Sequence, residues 1–185
     1  MKKIVLIIAA ILLTIGAFAQ KAEWGIKAGI NGAAEVTGEG STDLRMGLYA
    51  GILAEFTVNN IVGIQPELVY SMQGATTKIG NRTYTDKFDY VNLPVMLKLY
   101  VWERRLSIDG GPQFGYMVSA KETDTDIYDK IDNKFDVAIG LGASFKFGGK
   151  FDVSVRYNAG MIKIMDSTTM EHKNGVVQMG LSMKF

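Results

Sequence analysis

The feature that most limits what this chain can fold into is an alternation of apolar and polar residues, repeated in eight blocks after Gln20. The blocks cover residues 24–31, 45–58, 62–72, 88–101, 106–118, 135–147, 151–158 and 176–185. In the first, Trp24, Ile26, Ala28 and Ile30 share one face, while Gly25, Lys27, Gly29 and Asn31 share the other. The second groups Met46, Leu48, Ala50, Ile52, Ala54, Phe56 and Val58; the sixth groups Phe135, Val137, Ile139, Leu141, Ala143, Phe145 and Phe147. The last groups Val177, Met179, Leu181, Met183 and Phe185. Period two is that of a β-strand, whose successive side chains point to opposite sides. Eight such strands predict an all-β domain.

Alternation alone does not say which face is inside. A soluble lipocalin-type barrel turns its apolar face inward, and a membrane barrel turns it to lipid. The polar face carries Lys27, Lys98, Lys146, Arg156 and Lys184 against Glu55, Glu67, Asp109, Asp136 and Asp152, a balanced set. It also carries Gly25, Gly29, Gly47, Gly51, Gly63, Gly111, Gly115, Gly140, Gly142 and Gly180, out of 21 glycines in the chain. Eight strands enclose a space just wide enough for side chains, so small residues there make room for long charged ones. On a wet outer face the same glycines would only weaken the strands. The charged face is therefore expected inside, as a plug of ion pairs, because charges withdrawn from water must pair.

The start of the chain supports a membrane address. Lys2 and Lys3 precede an apolar run, Ile4 to Ile15, and Ala17-Phe18-Ala19 supplies small residues at a signal-peptidase site. The run is shorter than the roughly 20 residues that span a bilayer. Residues 1–19 are expected to be a cleaved signal peptide and residues 20–185 the barrel domain. Without residues 1–19 the charge changes from +1 to −1, which gives no electrostatic case for nucleic acid. No cysteine is present, which excludes disulfides and thiolate metal sites.

Connections alternate in length. Long ones are expected at 32–44, 73–87, 119–134 and 159–175, and short ones at 59–61, 102–105 and 148–150. Outer-membrane barrels place long loops outside the cell and short turns in the periplasm. Aromatic residues fall at the strand ends: Trp24, Phe56, Phe147, Phe151 and Phe185 at the periplasmic level, Tyr70, Tyr116, Phe135 and Tyr157 at the outer level. Two interfacial girdles follow. The fold expected is an eight-stranded antiparallel up-and-down transmembrane β-barrel. The three prolines fall within strand blocks and are expected at bulges or strand starts.

Four segments carry a family resemblance: Gln65-Pro66-Glu67-Leu68-Val69-Tyr70-Ser71, Tyr90-Val91-Asn92-Leu93-Pro94-Val95-Met96-Leu97-Lys98, Gly110-Gly111-Pro112-Gln113-Phe114-Gly115-Tyr116 and Arg156-Tyr157-Asn158-Ala159-Gly160. In order and spacing they resemble the PorT-like outer-membrane β-barrel family of Bacteroidetes-type bacteria. The resemblance implies an eight-stranded barrel and, through the family's namesake, a tie to protein secretion. The ending Gln178-x-Gly180-x-x-Met183-x-Phe185 looks like the terminal signal read by the outer-membrane assembly machinery.

No constellation of catalytic, cofactor-binding or metal-binding residues emerges. His172 is the only histidine; Ser167 lies five residues away, and a catalytic base needs a positioned partner. Asp124, Asp126, Asp129 and Asp132 could face a cation, but Tyr128 breaks the EF-hand spacing, so a solvated acidic loop is expected. Met161-Ile162-Lys163-Ile164-Met165 fits either an apolar binding patch in an exposed loop or an extension of strand seven, and the extension is preferred. The leading reading is a monomeric surface-loop anchor or envelope interaction protein in the bilayer, with a partner at the outer loops. A narrow or gated pore for small solutes is the alternative, and a lipid-modifying enzyme a more distant one. N-terminal sequencing of the mature protein is expected to begin at Gln20, free or cyclised. A chain that keeps Met1 would overturn the leader assignment.

Overall fold

The structure, a computed structural model, describes residues 21–37, 40–41, 45–79, 82–122, 125–126, 128, 134–161 and 173–185. The leader, Gln20, Asp124, Asp129, Asp132, Ser167 and His172 lie outside the described residues. Eight long antiparallel strands form the wall: β1 (Lys21–Thr37), β3 (Arg45–Thr57), β4 (Val62–Ile79), β5 (Arg82–Trp102), β6 (Leu106–Glu122), β8 (Phe135–Phe147), β9 (Phe151–Gly160) and β10 (Lys173–Lys184). Two short pieces, β2 (Gly40–Ser41) and β7 (Thr125–Asp126), add to β1 and β6. Each long strand pairs with its neighbours in sequence, and β10 pairs with β1, so the eight-stranded wall closes on itself.

The register measures how the barrel is wound. One row runs from Ala22 through Phe56, Ile64, Leu97, Gly110, Leu141, Tyr157 and Val177, and comes back to β1 at Gly32. The return is ten residues along β1 from the start, a stagger that tilts the strands by about 40°. No charged residue stands on that row. The adjacent row is Lys21, Thr57, Gly63, Lys98, Asp109, Gly142, Arg156, Gln178 and Asn31, and it faces inward from Thr57 onward. A shift of one residue thus exchanges the lipid face for the lumen face.

Exposure follows the expected sides. Leu141 is 63% exposed and Ile52 54%, whereas Lys27 is 6% and Glu67 2% exposed. The glycines explain why the charged residues fit. A Cβ built on Gly115 would stand 2.7 Å from Asn92 Oδ1, and one on Gly63 would stand 2.5 Å from the Tyr100 hydroxyl. On outward-facing Gly110 the nearest atom would be 3.7 Å away.

Two expectations need correction. The segment 73–87 is not a long loop: β4 runs to Ile79 and β5 starts at Arg82, in register from Met72↔Asp89 to Ile79↔Arg82. Threonine and tyrosine favour strands, and outside the bilayer neither face need be apolar, so the alternation fades while the strand continues. Likewise β1 reaches Thr37 and β6 reaches Glu122. The prolines keep the strand register, paired as Pro66↔Val95, Pro94↔Gln113 and Pro112↔Ile139. On the other side of each, the pairing skips two residues and resumes in phase, as between Leu53↔Glu67 and Phe56↔Ile64. Each proline therefore costs local bonds and no register. The register shifts lie elsewhere, at Asp89/Tyr90 and Tyr100/Trp102. Of the segment 161–165 only Met161 is described: β9 ends at Gly160, and Met161 N bonds Val137 O at 2.7 Å.

Leu141→Arg should destabilise the barrel by about 2–4 kcal/mol in urea titrations in lipid vesicles. Gly51→Val, whose Cβ would come within 2.9 Å of the Val69 Cα, should be far more harmful than Gly110→Val. The opposite order for the two glycines would mean that the faces are inverted.

Candidate functional site

Chemistry-bearing side chains of the described residues converge from all round the wall in the lumen. Among the described residues it buries four cations, Lys27, Lys98, Arg156 and Lys184, and four anions, Glu55, Glu67, Asp109 and Asp152. Lys146 and Asp136, also expected inside, are half-buried towards opposite ends of β8.

Glu67 on β4 is the central acceptor. Arg156 of β9 grips it with both guanidinium nitrogens, Nη1 at 3.0 Å and Nη2 at 2.8 Å. Lys27 of β1 donates to the same carboxylate at 2.8 Å, and Gln65 Nε2 donates at 2.7 Å. The two-pronged arginine contact fixes orientation as well as charge. Nearer the short turns, Glu55 of β3 meets Lys184 of β10, and Lys98 of β5 at 3.2 Å. It also accepts from the Tyr100 hydroxyl at 2.7 Å. Lys184 reaches Asp152 at 2.9 Å, and Lys98 donates to Gln65 at 3.2 Å, which links the two clusters. Asp109 accepts from Ser107 at 2.7 Å and from Ser144. Towards the outer end the links become neutral: Asn31 to Ser71 at 2.7 Å and Asn158 to Gln178 at 3.1 Å. Above these lies a small apolar cluster of Phe88, Tyr90, Met117 and Ala120, with Tyr128 packed on it.

Aromatic and apolar residues also point inward, beyond the charged and glycine residues that the sequence places there. Tyr49 pairs in register with Gly29, which pairs with Gly180, and its ring lies over both glycines. The same ring is 5.6 Å from the Lys27 ammonium, a cation–π contact. The signal was available: Tyr49 and Leu53 stand in phase with Gly47, Gly51 and Glu55.

The rims differ. At the short-turn end, Trp102-Glu103-Arg104-Arg105 makes a tight turn closed by Arg105 N to Trp102 O at 2.6 Å. Glu103 and Arg104 take positive φ, 42° and 60°, a conformation that costs a residue with a Cβ roughly 1–2 kcal/mol. Arg104 is held there by Thr57 Oγ1 at 2.9 Å and by the Tyr100 ring at 5.4 Å. Phe147 and Phe151 stack at 5.8 Å on the outer surface of the same end, where the sequence places a girdle. Of the four aspartates of the acidic loop only Asp126 is described, paired with Lys121 in the strand register. No group of metal-ligating side chains occurs among the described residues.

A closed eight-stranded wall, apolar outside and charged inside, defines a bacterial outer-membrane protein. The chain belongs to the outer membrane protein beta-barrel domain family, whose model matches residues 18–166. No curated protein matches it in sequence. Among solved structures it is similar to Ail, the attachment invasion locus protein of Yersinia pestis, at 16% identity and a TM-score of 0.57, over 90% of this chain and 100% of that one. Neisserial surface protein A gives 16% identity and a TM-score of 0.58 over the same shares. OprG of Pseudomonas aeruginosa gives 11% and 0.52, over 90% and 97%. These likenesses show the fold.

Glu67→Ala should destabilise the barrel by about 3–5 kcal/mol, because Arg156 and Lys27 would keep their burial and lose their acceptor. Replacing all three by apolar residues of similar volume should recover most of that loss. Urea titration of the refolded variants measures both, and equal losses for the single and triple variants would contradict the ion-pair account.

Proposed function

We propose that this barrel is a non-conducting, monomeric anchor that presents cell-surface segments and serves envelope structure or interactions. The observation that carries the reading is the Glu67 node, which ties β4 to β1 and β9 across the lumen. The Glu55 node does the same for β3, β5 and β10. A solute would have to part several charge-assisted bonds in a space with no room for their rehydration.

The reading is non-enzymatic. It rests on the bonds that the buried lumen charges make within the wall, Glu67 and Glu55 to cations and Asp109 to two serines, which engage them in structure and leave them unpoised for a substrate. The resemblance to PorT-like barrels makes a component of protein secretion the first partner to seek at the outer segments. For biogenesis, β10 is the strand that the assembly machinery would read. It closes the barrel on β1, and Phe185 N bonds Trp24 O at 2.9 Å.

Planar-bilayer recording tests the reading directly. The wild-type barrel should give no discrete conductance steps, while a Glu67→Gly, Arg156→Gly double variant, if it closes, should give small ones. Regular steps from the wild type would make the narrow-pore alternative correct.

A further inference from the structure

We propose that the short-turn rim holds the phosphodiester headgroup of an anionic glycerophospholipid from the periplasmic leaflet, in the cavity between the β5–β6 and β8–β9 turns. The cavity measures about 540 Å³, within the range of small-ligand sites. Lys21, Arg104, Arg105 and Lys146 line it, with Glu103 as the one acidic side chain of the lining. Glu23 lies close by, 2.9 Å from Lys21 and 3.4 Å from Lys146, and holds the two ammonium groups near each other. Two positive charges remain in excess after both acids are counted.

The site is built and not a chance meeting of surface lysines. Lys146 N bonds Arg105 O at 2.7 Å, which pins the β5–β6 turn to β8. Arg104 is fixed by Thr57 and Tyr100 in a strained backbone conformation. On the opposite side Gly148 and Gly149, at φ +60° and +78°, turn the chain without side chains that would fill the space.

The second wall tells what kind of anion fits. Phe145 and Phe147 line the cavity and also face outward among the lipid-facing residues. Cations and aromatic rings therefore meet along one edge at the level of the periplasmic girdle, where a phospholipid changes from phosphate to acyl chain. A free anion would use the cations alone; a phospholipid uses both walls, and a negative headgroup answers the excess charge.

Native mass spectrometry of the detergent-purified barrel, with dioleoylphosphatidylglycerol or dioleoylphosphatidylcholine added, tests this. The wild type should retain phosphatidylglycerol, and Arg105→Gln and Lys146→Gln should each weaken retention about fivefold. Lys121→Gln, an exposed cation outside this rim, should behave as wild type. Heat-modified gel mobility reports whether each variant is folded, and Arg105→Glu, at an exposed side chain, supplies a second reading of the same loss. Tens of millimolar inorganic phosphate should leave the lipid bound. Unchanged retention in the folded Arg105 variants, equal retention of the two lipids, or full displacement by inorganic phosphate would each overturn the proposal. None of these outcomes depends on whether the lumen conducts.

Discussion

Everything in this structure depends on the absence of water around its middle. A backbone amide in hydrocarbon must bond to another part of the chain, and a sheet can satisfy that only by closing on itself. The pairing that closes it joins the two ends of the described chain, Gly25↔Lys184 to Val36↔Lys173. Closure is thus the least local contact in the fold, and the wall has an unpaired edge until β10 meets β1. The ten-residue stagger of the same closure sets the tilt. It is the tilt that brings Lys27 of β1 and Arg156 of β9 to one carboxylate on β4.

Closing eight strands leaves an interior too narrow for two side chains to face each other at every level. The chain answers with pairs of opposite kind. Long charged residues reach across where glycines stand beside them, and two tyrosines lie flat on the wall. Tyr49 covers Gly29 and Gly180, and the Tyr100 hydroxyl comes against Gly63. Each ring then offers its face to a cation, Lys27 in one case and Arg104 in the other. The glycines that seem to weaken the strands are what allows the aromatic rings and charges to lie there.

How much of this was legible depended on where water is excluded. Within the bilayer every residue must choose between lipid and lumen, so Ile52 and Leu141 on one side and Glu55 and Glu67 on the other declare their places in the sequence. Beyond the bilayer that choice relaxes, and Thr76, Thr77, Thr83 and Thr85 form strand without announcing it. The prolines misled for a related reason. Pro66, Pro94 and Pro112 each remove one donor, yet the ladder rejoins in phase because the register is held by closure as a whole. The identity of the ion pairs was not legible at all: ten inward charges were visible, but which cation meets Glu67 follows from the stagger, which no single strand encodes. The basic rim was hidden because its lysines and arginines come from three separate segments.

The unequal length of the strands has a consequence of its own. The β4–β5 ladder runs from Val62↔Leu99 to Ile79↔Arg82, while β8 and β9 end their ladder at Ala138↔Gly160. At about 3.3 Å per residue, β4 is about 60 Å long, more than a tilted crossing of a 25 Å apolar band requires. The molecule therefore has a front and a back in the plane of the membrane. A neighbour arriving beside β4 and β5 meets a hydrogen-bonded parapet that stands clear of the headgroups, and the ladder between β8 and β9 does not match it in length.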